Sequence, residues 1–358
     1  MQKESKDFLF ELLTTPSPTG FEQRIQKVVR THMKKYADSM ETDLHGNLIV
    51  GINIKAAKRV MLAGHCDQIG FIVKHITKEG FVYVAALGGI DAGVLPGSHV
   101  HIHSSKTGKP VAGIFGRKPI HTQTGDERNN LKIDIEKNWI DIGAKNQKEA
   151  EKLIEIGDPI TYKPEVLEIG KDLICGPGLD DRVGLFVAME TLKLCVKAKL
   201  NVGLFAVSTV QEEVGLRGAH TSAFGVDPEV GIAIDVTHAS DNPGNDNPKA
   251  IPCKLGAGPC IAKGPSINPV VAKMLMESAK KAKIPYQPEP SGRLLGNDSS
   301  AIQIARAGIA TASIGIPNRY MHTQVEMCNL VDLENASKLL AQFIKSIGKS
   351  TDFRPMAH

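Results

Sequence analysis

The chain has 358 residues, 42% of them hydrophobic and 23% charged, and 43 basic against 39 acidic residues leave a net charge of +4. That length accommodates one large domain and a smaller one, and the composition is that of a globular chain burying a real core. Scattered lysines, five Tyr and one Trp exclude a basic, aromatic-studded nucleic-acid surface, and no apolar stretch approaches the roughly 20 residues that span a bilayer.

The N-terminus, MQKESKDFLFELL, mixes acids and lysines before it turns apolar, which predicts an amphipathic helix over 4–14 and no signal-peptide core. The Pro16–Gly20 turn stops it, and Ile25, Val28, Val29 and Met33 then recur near a 3.6 period, predicting a second helix over 21–36. A strand follows over 48–54. Val60-Met61-Leu62-Ala63 is a short apolar run of the kind buried on both faces of a sheet, and it leads directly into Gly64-His65-Cys66-Asp67.

From about Phe71 to Thr161 the pattern changes to short alternating strands between Gly-rich turns, with little helix before residue 147. The polar, aperiodic stretch 122–130 predicts an exposed loop. His99, His101 and His103 alternate with apolar residues, as in an ordinary strand with one solvated face. Strand–helix alternation returns after Thr161: a helix over 181–196, strands over 202–210 and 231–234, a helix over 270–283, a strand over 309–316 and a final helix over 333–347. The run Lys280-Lys281-Ala282-Lys283 is the solvated face of one of these helices. The expected fold class is α/β: a layered catalytic domain with a largely parallel central sheet, residues 1–66 and 162–358, interrupted by a small β-rich, barrel-like domain at 67–161. The six cysteines (Cys66, Cys175, Cys195, Cys253, Cys260, Cys328) form no C-x-x-C pair, which predicts free thiols and a cytoplasmic protein.

Polar residues stand where the apolar strands end: His65 and Asp67, Glu212 and Glu213, Asp235, and His322. Open α/β sheets bind ligands at the carboxyl ends of their strands, so these side chains are expected to converge. Carboxylates that close repel one another unless cations neutralise them, and two histidines with several carboxylates suit zinc, cobalt or manganese. Each has an ordinary alternative when taken alone. His65 can be a satisfied core histidine and Asp180 the N-cap of its helix. Asp181 with Arg182 can form a local pair, and Glu212-Glu213 a solvated turn. Asp67, two residues from His65 in an extended segment, shares its face and can orient the imidazole. Cys66 points the other way, as a buried structural thiol.

The segments GHCDQIGF (64–71), GPGLDDRVG (176–184), VQEEVGLRGA (210–219), IAIDVTHASDNPG (232–244) and RYMHTQVE (319–326) resemble the motifs of the tetrahedral (TET) dodecameric metallo-aminopeptidases. That family includes glutamyl and deblocking aminopeptidases, and some members carry an endoglucanase label. The resemblance runs over essentially the whole chain, through KNWIDIGAK (137–145) and KLGAGPCIAKGP (254–265). It implies two divalent metals per subunit, zinc or cobalt or manganese, bridged by Asp180. His65 and Asp235 complete one site, and Glu213 and His322 the other. It further implies Glu212 as general base, Asp67 as orienter of His65, peptide substrates with a free N-terminus, and a homo-oligomer, typically a dodecamer, with contacts through the inserted domain. Neither nucleic acid nor membrane is an expected partner. Gln68, Gln324 and Asn297 depart from the usual Glu, Pro and Thr of that pattern, which bears on pocket shape and specificity. The competing readings are a related di-metal carboxypeptidase or deacylase, an endoglucanase, and a non-catalytic scaffold. A glycoside hydrolase, however, needs two carboxyl groups about 5 Å or more apart and an aromatic sugar platform, and aromatics here are only 5%.

Overall fold

A computed structural model describes residues 1–129, 133–244 and 252–356. Its centre is an eight-stranded sheet. The four middle strands, Gly203–Thr209, Arg59–His65, Val230–His238 and Ala310–Asn318, run parallel in that order. Nearly every residue in them is buried, as expected of strands covered on both faces. The flanks are antiparallel additions. Leu48–Ile52 and Ser39–Thr42 extend one edge. Cys260–Lys263 pairs antiparallel with Ala310–Asn318 on the other, and Gln287–Pro290 lies parallel outside it. The parallel arrangement read from the sequence is therefore the core of a mixed sheet.

Helices Lys3–Thr14, Gln23–Met33, Leu179–Cys195, Pro269–Ala282 and Leu330–Ser346 supply the main apolar layer. Leu179–Cys195 is buried almost all round, so it is a core helix and not an amphipathic cover. Its first turn presses against the sheet so closely that a Cβ on Gly64 would stand 2.4 Å from the Leu185 nitrogen, and one on Gly184 would stand 2.5 Å from the Ile234 carbonyl. Glycine at both positions lets the helix start reach the strand ends.

Six strands between Gly70 and Tyr162 close into a barrel, in the order Gly70–Ile76, Val82–Leu87, Trp139–Asp141, Pro110–Gly116, His99–His103 and Pro159–Tyr162. Phe71, Phe115 and Tyr162 pack at its centre, with ring centroids 4.8 and 5.9 Å from Phe71. His103 is buried here with Nε2 2.9 Å from Thr161 Oγ1, so the three-histidine strand is less solvated than its alternation predicts. The expected loop after 122 carries a short helix at Gly125–Asn129, and Asn130 lies outside the described residues. A small three-stranded antiparallel sheet, Leu167–Ile169, Leu173–Gly176 and Glu326–Asn329, joins the return of the chain to its C-terminal region. Among the described residues no helix is long and apolar enough to cross a membrane.

Candidate metal centre

Register explains why the polar residues meet. Thr209 pairs with His65 on adjacent parallel strands, and Asp235 pairs with Gly315 on the next pair. The Val230 strand continues to His238, four residues past the expected end, so Asp235 projects from within a strand. Asp180 and Asp181 precede the regular part of their helix, with ψ of 109° and 36°. His65, Asp180, Glu212, Glu213, Asp235 and His322 consequently line one cleft of about 600 Å³, while Asp67 lies fully buried behind it.

Asp180 is the geometric centre of the group. Its Oδ1 is 3.1 Å from His65 Nε2, and its Oδ2 is 3.2 Å from His322 Nε2. Asp235 Oδ1 and Glu212 Oε2 are each 3.9 Å from His65 Nε2, and Glu213 Oε2 is 3.6 Å from His322 Nε2. The capping job that the sequence left open to Asp180 falls to Asp181: its Oδ1 accepts the Gly184 N–H at 3.0 Å and its Oδ2 the His65 N–H at 3.1 Å. Arg182 pairs with neither aspartate. It is buried and donates to the carbonyls of Gly178, Pro177, Thr15 and Leu12, tying the first helix to the site loop.

Two buried acids hold the surrounding main chain. The Asp67 carboxylate accepts the N–H groups of Glu212 at 3.0 Å and Glu213 at 3.2 Å. Toward His65 Nδ1 its main-chain carbonyl is closer, at 3.0 Å, than its carboxylate, at 3.5 Å. Glu326 accepts the N–H of Asp180 at 2.9 Å and of His322 at 2.9 Å, pinning His322 in a left-handed conformation with φ of 61°. Glu326 lay inside a quoted motif without a role. Its four-residue spacing from His322 was the available signal.

The electrostatics are those of a site built around cations. Burial, followed by the Asp180 charge, pushes Glu213 and Asp235 well above the usual carboxylate range. Burial likewise drives Glu212 up to about 9, against the His65 charge and with the neighbouring acids, and Glu326 up to about 8. Burial also opposes a charge on His65, but Glu212, Asp180 and Asp67 outweigh it and hold its pKa well above the ordinary value. At Asp180 burial is likewise overcome, by hydrogen bonding to His322 and His65, and the pKa is lowered.

Donor atoms of His65, Asp180 and Glu213 lie within 4.8 Å of one another, as do those of His65, Asp181 and Asp235. In the second group the main-chain bonds of Asp181 already occupy its oxygens, which leaves Asp180 the better donor. Glu213 Oε1 is buried without a hydrogen-bond partner among the described residues, while Oε2 is the oxygen beside His322. Imidazole nitrogens with carboxylate oxygens fit zinc, cobalt or manganese.

Of the three departures from the resembled pattern, Asn297 lines the cleft and caps the helix Asp298–Gln303 while donating to Ser313 Oγ. Gln68 is buried, its Oε1 accepting the Ser17 N–H. Gln324 faces a separate groove. Cys66 is a buried thiol whose pKa burial raises well above the ordinary value.

The M42 glutamyl aminopeptidase family model matches residues 46–339. The chain is 36% identical to the lysyl aminopeptidase of Pyrococcus furiosus, over 98% of this chain and 99% of that protein. It superposes with a TM-score of 0.90 on a TET aminopeptidase from a marine sediment archaeon, Thaumarchaeota archaeon SCGC AB-539-E09, at 34% identity over 96% of this chain and 98% of the other. A TM-score of 0.83 relates it to the Pyrococcus horikoshii TET1 peptidase, at 29% identity over 96% of this chain and all of the other; that protein can assemble into a tetrahedron or a large octahedral shell.

Proposed function

From the premise that this chain belongs to the M42 glutamyl aminopeptidase family and is a metal-dependent aminopeptidase, we propose that its cleft holds two divalent ions with Asp180 shared between them. In this reading His65 and Asp235 complete one site, and Glu213 and His322 the other. The observation that carries it is the orientation of Asp180, whose two oxygens address two different histidines at 3.1 and 3.2 Å. Each histidine has a further carboxylate beside it. The donor set supports zinc or cobalt, with manganese also within its chemistry.

Divalent ions bound there would supply Lewis-acid activation of a water and of the scissile carbonyl. The remaining steps belong to the chain. Glu212 is the general base: its main chain is fixed by Asp67, and no hydrogen bond among the described residues occupies its carboxylate. It takes the proton from the attacking water and returns it to the leaving amine. Asp67 and Glu326 keep the base and the metal-facing side chains in register through their main-chain N–H groups. The acidic wall of the cleft attracts the α-ammonium of a peptide with a free N-terminus.

Metal-stripped enzyme assayed on leucyl p-nitroanilide and on its N-acetyl analogue tests this reading. Activity should return with zinc, cobalt or manganese, and only on the free amine. Cleavage of the acetylated analogue would instead identify a deacylase or carboxypeptidase, and failure to bind any divalent ion would identify a non-catalytic scaffold.

The barrel between residues 67 and 161 is, on the same reading, an inserted domain that joins subunits of a homo-oligomer, and residues 1–66 with 162–358 form the catalytic domain. Exposed Ile114 and Ile120 on the barrel and the shell-forming TET1 relative support this. A dodecamer is the assembly we favour, and sedimentation as a stable monomer would contradict it. Six cysteines without a disulfide support a cytoplasmic location.

A further inference from the structure

We propose that the cleft selects peptides whose N-terminal side chain is cationic, lysine or arginine, with Glu289 as the residue that reads the charge; this rests on the aminopeptidase reading above. Glu289 stands on the outermost strand, Gln287–Pro290, away from the carboxylates grouped at the two histidines, yet it lines the same cleft. It is half-buried, and its Oε1 accepts the Thr237 hydroxyl at 2.5 Å. Its Oε2 reaches over Gly315, two strands further in, where a Cβ would approach it to 2.9 Å, so the absence of a side chain at Gly315 leaves room for the carboxylate.

Position makes this acid a reader of substrate. Asp235 and Thr237 occur at i and i+2 of one strand, so they face the same way and stand roughly 7 Å apart along it. That span is comparable to the reach of a lysine side chain from its α-carbon. A substrate whose α-amine sits at the Asp235 end would therefore bring its terminal ammonium or guanidinium to the Thr237–Glu289 pair. Val236, Leu295 and Met321 also line the cleft and can pack the aliphatic stem of such a residue.

The charge balance points the same way. Among the described residues no lysine or arginine lines the cleft, and none lies within ion-pairing distance of Glu289. His238 is the imidazole that acts on it electrostatically. Divalent ions, where bound, would be matched by the carboxylates at the histidines, whereas no such cation would offset Glu289 on the outer strand. A cationic substrate side chain would supply one, and an acidic side chain would meet repulsion in a partly desolvated wall.

The experiment compares kcat/KM of the metal-loaded enzyme on lysyl, arginyl, leucyl and glutamyl p-nitroanilides. Lysine and arginine should exceed leucine by about tenfold or more, with glutamate lowest. Glu289→Gln should lower the lysine-to-leucine ratio by about the same factor, and Glu289→Lys should turn the preference toward glutamate. On the unaltered enzyme, lysine amide should inhibit at lower concentration than leucine amide, a comparison independent of how any variant folds. A wild-type preference for leucine or glutamate, or an unchanged ratio in Glu289→Gln, overturns the inference and leaves the aminopeptidase reading standing. Failure to cleave any of the four overturns both.

Discussion

Glu326 accepts the main-chain N–H of Asp180 at 2.9 Å through one carboxylate oxygen, while the other oxygen holds His322 at the same distance. One buried acid thus fixes the spacing between the shared carboxylate and a histidine from a different loop. In Glu326→Gln one of these N–H groups faces an amide donor, at a cost of about 1–3 kcal/mol for the unsatisfied group. The variant should remain folded and lose metal affinity by about 10–100-fold, as when a partner that orients a ligand is removed. Cobalt competition against a chelator measures this, and affinity within twofold of wild type would show that Glu326 does not position the site.

Removing metal should destabilise the protein as well as silence it. Asp180, Glu212, Glu213 and Asp235 crowd two histidines at the ends of the central strands, and cations relieve that repulsion only in the folded state. Chelated enzyme should therefore melt lower than metal-loaded enzyme, by about 1–2 °C for each kcal/mol of binding linkage in a chain this large. Identical melting curves with and without chelator would contradict a resident metal pair.

His32 gives a pH dependence away from the site. Its ring stacks on Phe8 with centroids 3.7 Å apart, and its Nε2 is buried without a hydrogen bond. Burial, then the Lys193 charge, lowers its pKa from 6.5 to about 4. The unfolded chain therefore binds a proton at this position between pH 6.5 and 4 that the folded chain refuses. The stability from neutral His32 is complete above pH 6.5 and is lost as pH falls toward 4. His32→Phe should remove that part of the acid loss, on the order of 1–2 kcal/mol after solvent screening. Denaturant melts at pH 7.5 and 4.5 test it: equal losses in variant and wild type would rule out His32 as a source.

Much of the site was legible because its chemistry interrupts apolar strands. His65 follows a run buried on both faces, and Asp235, Glu212 and Glu213 follow others, so convergence could be expected from α/β geometry alone. What stayed hidden depends on three-dimensional neighbours. No local signal separated Asp180, which faces the histidines, from Asp181, which caps the helix. The hydrogen bond that buried Asp298 accepts from the Thr209 hydroxyl, at 2.6 Å, joins segments 89 residues apart and leaves no local trace. The strand Gln287–Pro290 carries no strand signal in the sequence because it contains two prolines, which a sheet tolerates only at an edge. That edge carries Glu289.

The separation of metal binding from proton transfer is the central claim, and Glu212→Gln tests it most directly. Metal analysis and turnover are measured on the same preparation. The variant should hold two divalent ions per chain, as wild type does, while kcat on an aminoacyl p-nitroanilide falls by about 10²–10⁴-fold. Near wild-type turnover, or loss of an ion together with activity, would contradict Glu212 as the base standing outside the ligand set.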